Sequence, residues 1–227
     1  MRAKLTLLSL LLLSSLQVQP AAVALSEDYI CASGHTQESL QLTRWLPEEF
    51  PLKVYIPPIS IKGVSSANYT AWLKEAYGAW TKQLPGLRFT YVNSPQEASM
   101  LIQWRESFDP EDPAWGKAFL PIPLINKQTR KIKHRTAIML ATKAQVGSGF
   151  SVTEPVPFSR DEFVAIATHE IGHALGLLHS DSEGDLMYPA IMRLTAASQW
   201  ALSPRDVLTL KRIYALPRNI KTNPCPR

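Results

Sequence analysis

The stretch "THEIGHALGLLHSDSEGDLMYP" (Thr168 to Pro189) places three of the chain's five histidines at positions 169, 173 and 179. His169 and His173 are four apart, so on a helix their imidazoles lie one turn apart on one face and can reach the same ion. Glu170 follows His169 directly, which sets its carboxylate beside that ion without forcing it to ligate. His179 is too far around a continuing helix to converge with the other two. Gly176 resolves this, because glycine can take a positive φ, end the helix and turn the chain back. Three protein ligands with an open fourth position are the pattern of a catalytic zinc site, whereas structural zinc sites close that position with protein. Three neutral imidazoles leave the full charge on zinc, which lowers the pKa of a bound water to about 7. Glu170 is then expected to take the water's proton, orient its attack on a scissile carbonyl, and pass the proton to the leaving amine. The plainer reading, a buried helix with satisfied histidines, leaves Glu170 unexplained among apolar neighbours. A zinc site that draws its third ligand from a downstream Glu is made unnecessary by His179.

The flanking sequence supplies the elements that must position these groups. Ser159-Arg160-Asp161-Glu162 is a capping box that opens a helix through Phe163, Ile166, Ala167, Ile171 and Ala174. Upstream, "LKVYI" reads as a strand closed by Pro57-Pro58, and Tyr69, Trp72, Leu73, Ala76, Tyr77 and Trp80 recur at helical spacing until Pro85-Gly86. "LRFTYV" and "SMLIQW" are the next strands. "KAFLPIPLI" looks extended, but Pro121 and Pro123 confine it to an edge strand or an irregular rim. "HRTAIMLAT" is a further strand. Ser203-Pro204 starts a last helix carrying Val207, Leu208, Leu210, Ile213 and Tyr214, which Pro217 ends. This order, without the alternation of a doubly wound sheet, predicts a single α+β domain.

The chain has 227 residues, 45% apolar and 19% charged, which suits one well-cored domain. Residues 1–24 read as a secretory signal peptide: Arg2 and Lys4, an apolar run from Leu5 to Leu16, then Ala22-Val23-Ala24 as a cleavage site. The run is shorter than the roughly 18 to 20 apolar residues that a spanning helix needs. A secreted product without a membrane span is therefore expected. Cleavage there takes the formal charge from +5 to +3 by removing Arg2 and Lys4. "KQTRKIKHR" (Lys127 to Arg135) is the densest basic tract and is read as a solvated hairpin; no nucleic-acid partner is expected. Two cysteines exist, Cys31 and Cys225. In an exported protein the simplest reading is a disulfide joining the two ends, the alternatives being two free thiols or Cys31 as a metal ligand.

"HEIGHALGLLH" followed by "LMYP" resembles the metzincin signature, an elongated zinc motif plus a Met-turn, and "HSD" after the third ligand resembles the matrixin branch. The resemblance extends more weakly from Trp45 to Leu216, through "RWLPEEFPLKVYI", "AWLKEAYGAWTKQLPGLRFTYV" and "LSPRDVLTLKRIYAL". It implies a metzincin-type zincin domain over 45–217, with a twisted mixed β-sheet, an active-site helix and a C-terminal helix. Residues 25–44 form an N-terminal segment and 218–227 a tail. It further implies one catalytic Zn2+ held by His169, His173 and His179, Glu170 as general base, and Met187 as the packing floor beneath the metal. Pro189, Ala190 and Ile191 would line the primary specificity pocket, and Asp206 would be a buried acid near the active-site helix. The partner is a polypeptide substrate and a monomer is expected.

Departures from the family pattern point to a minimal, bacterial-type member. Cys31 sits in "YICASGHTQ" and not in the setting of a zinc-blocking prodomain cysteine. Beyond the motif only His35 and His134 remain, too few for the second, structural zinc of animal matrixins; Lys117 and Ile138 stand near the lost ligand positions. Asp109, Glu111 and Asp112 read as a solvated loop, so calcium is left open. The rivals to a secreted zinc endopeptidase are a zinc-binding protein that keeps the fold without proteolysis, and a polyanion-binding module led by the basic tract.

Overall fold

The computed structural model describes residues 28–109, 112, 114–144, 154–189 and 201–225. The signal-peptide reading of 1–24 and the pocket residues Ala190 and Ile191 lie outside the described residues. The sheet is built from β1 (Leu52–Tyr55), β2 (Phe89–Val92), β3 (Met100–Arg105), β4 (Gly116–Ala118), β5 (Ile122–Ile125) and β6 (Ile132–Ala141). Its order is β2-β1-β3-β6-β4, with β5 also on β6. The β1, β2, β3 and β6 pairings are parallel, whereas β4 and β5 run antiparallel to β6. A second ribbon pairs β7 (Lys143–Ala144) with β8 (Val156–Pro157). The mixed sheet and its helices are the α+β architecture the element order implies. The proline-bearing run divides into β4 and β5, both at the rim of the sheet, as the missing donors require.

Among the described residues four α-helices complete the fold: α1 (Gln37–Leu42), α2 (Ser66–Thr81), α3 (Arg160–Ala174) and α4 (Pro204–Ala215). The α3 capping box forms, with Ser159 Oγ accepting from the Glu162 amide and Glu162 Oε2 accepting from the Ser159 amide at 2.8 Å. Ten of the fifteen α3 residues are buried, so this helix runs through the interior and is not a surface element with one apolar stripe. It packs on α2, with the Tyr69 and Phe163 rings 4.7 Å apart and Trp80 Nε1 donating to Thr168 O at 2.8 Å. On its other side it meets β4 and β6.

The segment before Trp45 shares this core. Tyr29, Ile30 and Leu40 are fully buried among the core residues. Arg44 donates to the carbonyls of Ile213 (3.1 Å) and Leu216 (2.7 Å), filling the open acceptors at the end of α4, where a cation also complements the helix dipole. Gln41 brackets the tail, donating to Arg218 O and accepting from the Ile220 amide. Cys31 and Cys225 form a disulfide with a Cα–Cα distance of 5.2 Å. Among the described residues no helix is long and apolar enough to cross a membrane.

Candidate metal centre

The helix end that delivers the third histidine is a Schellman motif. Gly176 has φ +102°, its amide bonds His173 O at 2.9 Å, and the Leu177 amide reaches back to Gly172 O at 3.0 Å. A side chain at 176 would be strained by that φ and would press on Thr43 O at 3.0 Å. Two long-range donors cap the remaining α3 carbonyls: Trp45 Nε1 on Ala174 O (2.8 Å) and Tyr214 OH on Leu175 O (2.9 Å). The turn after α3 is thus held from two distant parts of the chain.

Past this turn His179 meets the two helix histidines. His173 Nε2 lies 3.1 Å from both His169 Nε2 and His179 Nε2. His169 Nδ1 bonds Leu186 O at 2.7 Å, and His173 Nδ1 bonds Leu177 O at 2.8 Å. A carbonyl can only accept, so both Nδ1 atoms carry the proton and both Nε2 atoms present lone pairs. Lone pairs this close repel one another unless a cation sits between them. Ligands about 2.1 Å from a tetrahedral zinc lie about 3.4 Å apart, so the observed spacing fits that ion. Burial pushes the His169 ring down to about 4 and the His173 ring down to about 3, and it lowers His179 as well. All three are therefore held neutral, the form that binds metal. Among the described residues this is the one cluster of three potential ligands.

Glu170 lies on the same helix, 6% exposed, against β4. Its carboxylate accepts from the Ala118 amide, and a Cβ on Gly116 would fall 2.5 Å from its Cγ. β4 must therefore carry glycine where the carboxylate passes. Burial pushes the Glu170 carboxyl up to about 8 against the pull of the Ala118 hydrogen bond. A dication beside the group favours the ionised form.

The floor of the site is Met187, fully buried under α3. A Cβ on Gly172 would lie 2.4 Å from Met187 Sδ, so helix and turn touch here only because position 172 has no side chain. Asp206, fully buried at N3 of α4, accepts from the amides of Leu186 (2.9 Å), Met187 (3.4 Å) and Ser203 (2.9 Å) and from Tyr29 OH (2.9 Å). One carboxylate thereby ties the N-terminal segment, α4 and the turn whose Leu186 carbonyl orients His169. Asp185 supports the same turn, accepting from Ser203 Oγ and Arg205.

Of the residues singled out in the sequence, His169, Glu170, His173, His179, Met187 and Asp206 come together. Pro189 is exposed just after the turn. His35 and His134 lie elsewhere, both buried; His134 Nδ1 faces Glu49 Oε2 at 2.8 Å and Nε2 faces Leu42 O at 3.1 Å. Lys117 pairs with Asp112, and Ile138 is core. Sequence reasoning missed Gly116, the Ala118 amide, Gly172, Asp185 and Tyr29. Gly116 and Gly172 carried a usable signal, since glycine inside a strand or helix marks a close approach.

The mixed sheet, central helix and converging histidines define a metzincin-type zincin domain. The matrixin family model matches residues 45–215, and the chain belongs to that family of metallopeptidases. Macrophage metalloelastase of Rattus norvegicus is 23% identical over 189 residues, covering 81% of this chain and 36% of that protein. Matrilysin of Felis catus is 40% identical over 52 residues, 23% of this chain and 20% of its own length. Stromelysin-1 of Equus caballus is 40% identical over 55 residues, 24% and 12% respectively. The chain thus matches about a third or less of each of these relatives.

Proposed function

We propose that the protein is a secreted, zinc-dependent endopeptidase in which Glu170 moves the proton. The observation that carries this reading is the pairing of three neutral, converging imidazoles with a buried carboxylate on the same helix. When bound by His169, His173 and His179, zinc polarises a scissile carbonyl and acidifies water. Glu170 takes a proton from the attacking water and returns it to the departing amine nitrogen. The Ala118 amide and the bare Gly116 backbone fix where that carboxylate points. β4 is the last strand of its sheet, so its outer backbone groups can pair with an extended polypeptide laid beside Glu170. Pro189, Ala190 and Ile191, directly after the Met-turn, are assigned to the wall receiving the residue after the cut. Residues 1–24 are assigned to a cleaved export signal, 45–217 to the catalytic domain, and the active form to a monomer with about one zinc.

The test is peptide-library cleavage by wild type and Glu170→Gln, with metal content measured on both. Wild type is expected to cleave before a consistent apolar residue and to lose activity on chelation. The variant should keep its zinc and lose roughly 10²- to 10⁴-fold in rate. Cleavage by the variant at the wild-type rate overturns the assignment of the base. Full metal loading with no cleavage in either protein overturns the peptidase reading.

A further inference from the structure

The β5–β6 hairpin is unlike the rest of the surface. Every residue from Leu124 to Lys133 is exposed, ten in succession. Ile122, Leu124, Ile125 and Ile132 show 55%, 48%, 61% and 43% of their surface to solvent, four of the nine exposed large hydrophobic residues among those described. Ile125 lies opposite Ile132 on the last rung, and Leu124 lies opposite Lys133. The turn beyond is closed by the Asn126 amide on Lys131 O and by Asn126 Oδ1, which accepts from the amides of Gln128 and Thr129.

Charge on this element has one sign. Lys127, Arg130, Lys131 and Lys133 surround the isoleucines, and none of them pairs with a carboxylate among the described residues. From Pro113 to Thr153 the sequence contains seven lysines and arginines and no Asp or Glu. The hairpin's root, in contrast, is fixed. Pro123 pairs with His134, which turns inward against Glu49 and packs edge-on against Trp45, ring centroids 5.9 Å apart. The tip is therefore a convex projection on a firm base.

A convex tip offers no groove for a peptide side chain. It also has no Trp, Tyr or Phe between Ile122 and Arg135 on which a nucleobase could stack. Aliphatic side chains ringed by unpaired cations suit a bilayer interface instead. The apolar groups enter the acyl boundary, while the ammonium and guanidinium groups meet phosphates. We propose that the β5–β6 hairpin docks this protein onto an anionic lipid bilayer, with Ile125 and Ile132, which share one face of the last rung, inserted and Lys127, Arg130, Lys131 and Lys133 on the headgroups. This inference does not depend on peptidase activity. β4 and β5 share β6, so the docked hairpin and the strand beside Glu170 belong to one sheet.

Vesicle flotation with the full chain tests it, comparing phosphatidylcholine alone with phosphatidylcholine containing phosphatidylglycerol. The readout is the difference between each hairpin variant and wild type on the same vesicles, because Arg2, Lys4 and the apolar run from Leu5 to Leu16 are common to all of them. Two independent variants are compared with wild type: Lys127→Gln/Arg130→Gln/Lys131→Gln, and Ile125→Ser/Ile132→Ser. The proposal expects preferential binding to the anionic vesicles that weakens with salt. The charge variant should lose on the order of 100-fold in partitioning, and the isoleucine variant on the order of tenfold. Thermal melts matching wild type confirm that each variant folds, and either variant alone suffices. Equal binding to both vesicle types, or anionic binding unchanged by a folded variant, overturns the proposal. So does hairpin-dependent capture of an acidic peptide or an oligonucleotide without vesicle binding.

Discussion

The α3–Met-turn region and the β5–β6 hairpin are both rich in nitrogen bases, and they dispose of them in opposite ways. Around α3 almost every polar atom is committed to another part of the chain. Two imidazole Nδ1 atoms are pinned by carbonyls, and Asp206 gathers four donors from three segments. In the hairpin, four cations and three aliphatic tips face water with nothing described to hold them. The contrast teaches where precision is needed. A metal centre demands neutral ligands in fixed tautomers, so its surroundings are over-determined. A surface that meets fluid lipid demands only composition and sign.

The sharpest way to break the ordered side of this comparison is Gly116→Ala. The added methyl collides with the Glu170 side chain and moves its carboxylate without touching a histidine. Turnover should fall about 10- to 100-fold with zinc content unchanged, in line with the cost of misplacing a catalytic group by an ångström. A normal rate would show that the cradle does not position the base.

His35, in the N-terminal segment that shares the core, departs from the fully partnered pattern around α3. It is buried, and neither ring nitrogen has a hydrogen-bond partner among the described residues. Burial pushes its pKa down to about 4 from the ordinary 6.5. Between those values the unfolded chain binds more protons than the native one, so stability falls as pH drops from 6.5 to 4 and is fully retained above. The full shift corresponds to on the order of 3 kcal/mol. Melts of His35→Leu should lack that slope, whereas an unchanged slope would place its origin elsewhere.

A smaller effect is expected for Tyr29→Phe, which removes the hydroxyl donor to Asp206 and little volume. A hydrogen bond to a charged acceptor contributes about 1.5–3 kcal/mol. Urea melts should show a loss of that order, with zinc released more readily because the Leu186 carbonyl behind His169 is less firmly held. Equal zinc affinity would confine Tyr29 to packing. The least effect belongs to the hairpin: Ile125→Ser/Ile132→Ser should change stability by less than about 0.5 kcal/mol. A larger loss would mean that the exposed tip is part of the fold.

Much of the site was legible because its signal is local. Spacing of four, a capping box and one glycine suffice to set His169, Glu170, His173 and His179 on a helix and its reversed exit. Met187 and Asp206 were reached only through family resemblance, because nothing in their neighbours announces a turn-supporting contact. What stayed hidden spans long separations. Tyr29 meets Asp206 across 177 positions, and Gly116 reaches Glu170 from another strand. No periodicity records such contacts. The basic tract was read as a solvated hairpin, which it is as far as Lys133; His134 turns inward because the strand's alternation faces it toward Glu49.

The bond between Cys31 and Cys225 has a consequence for any proteolysis of the molecule. It joins positions 194 apart, so nearly all of the described chain lies inside one covalent ring. A cut anywhere within that ring opens it without releasing a fragment. Such nicked molecules would migrate as a single species in electrophoresis until a reductant is added, and only then separate into pieces. Under the proposed activity, a self-inflicted cut would stay within one particle, whose halves remain in each other's company and free to re-associate.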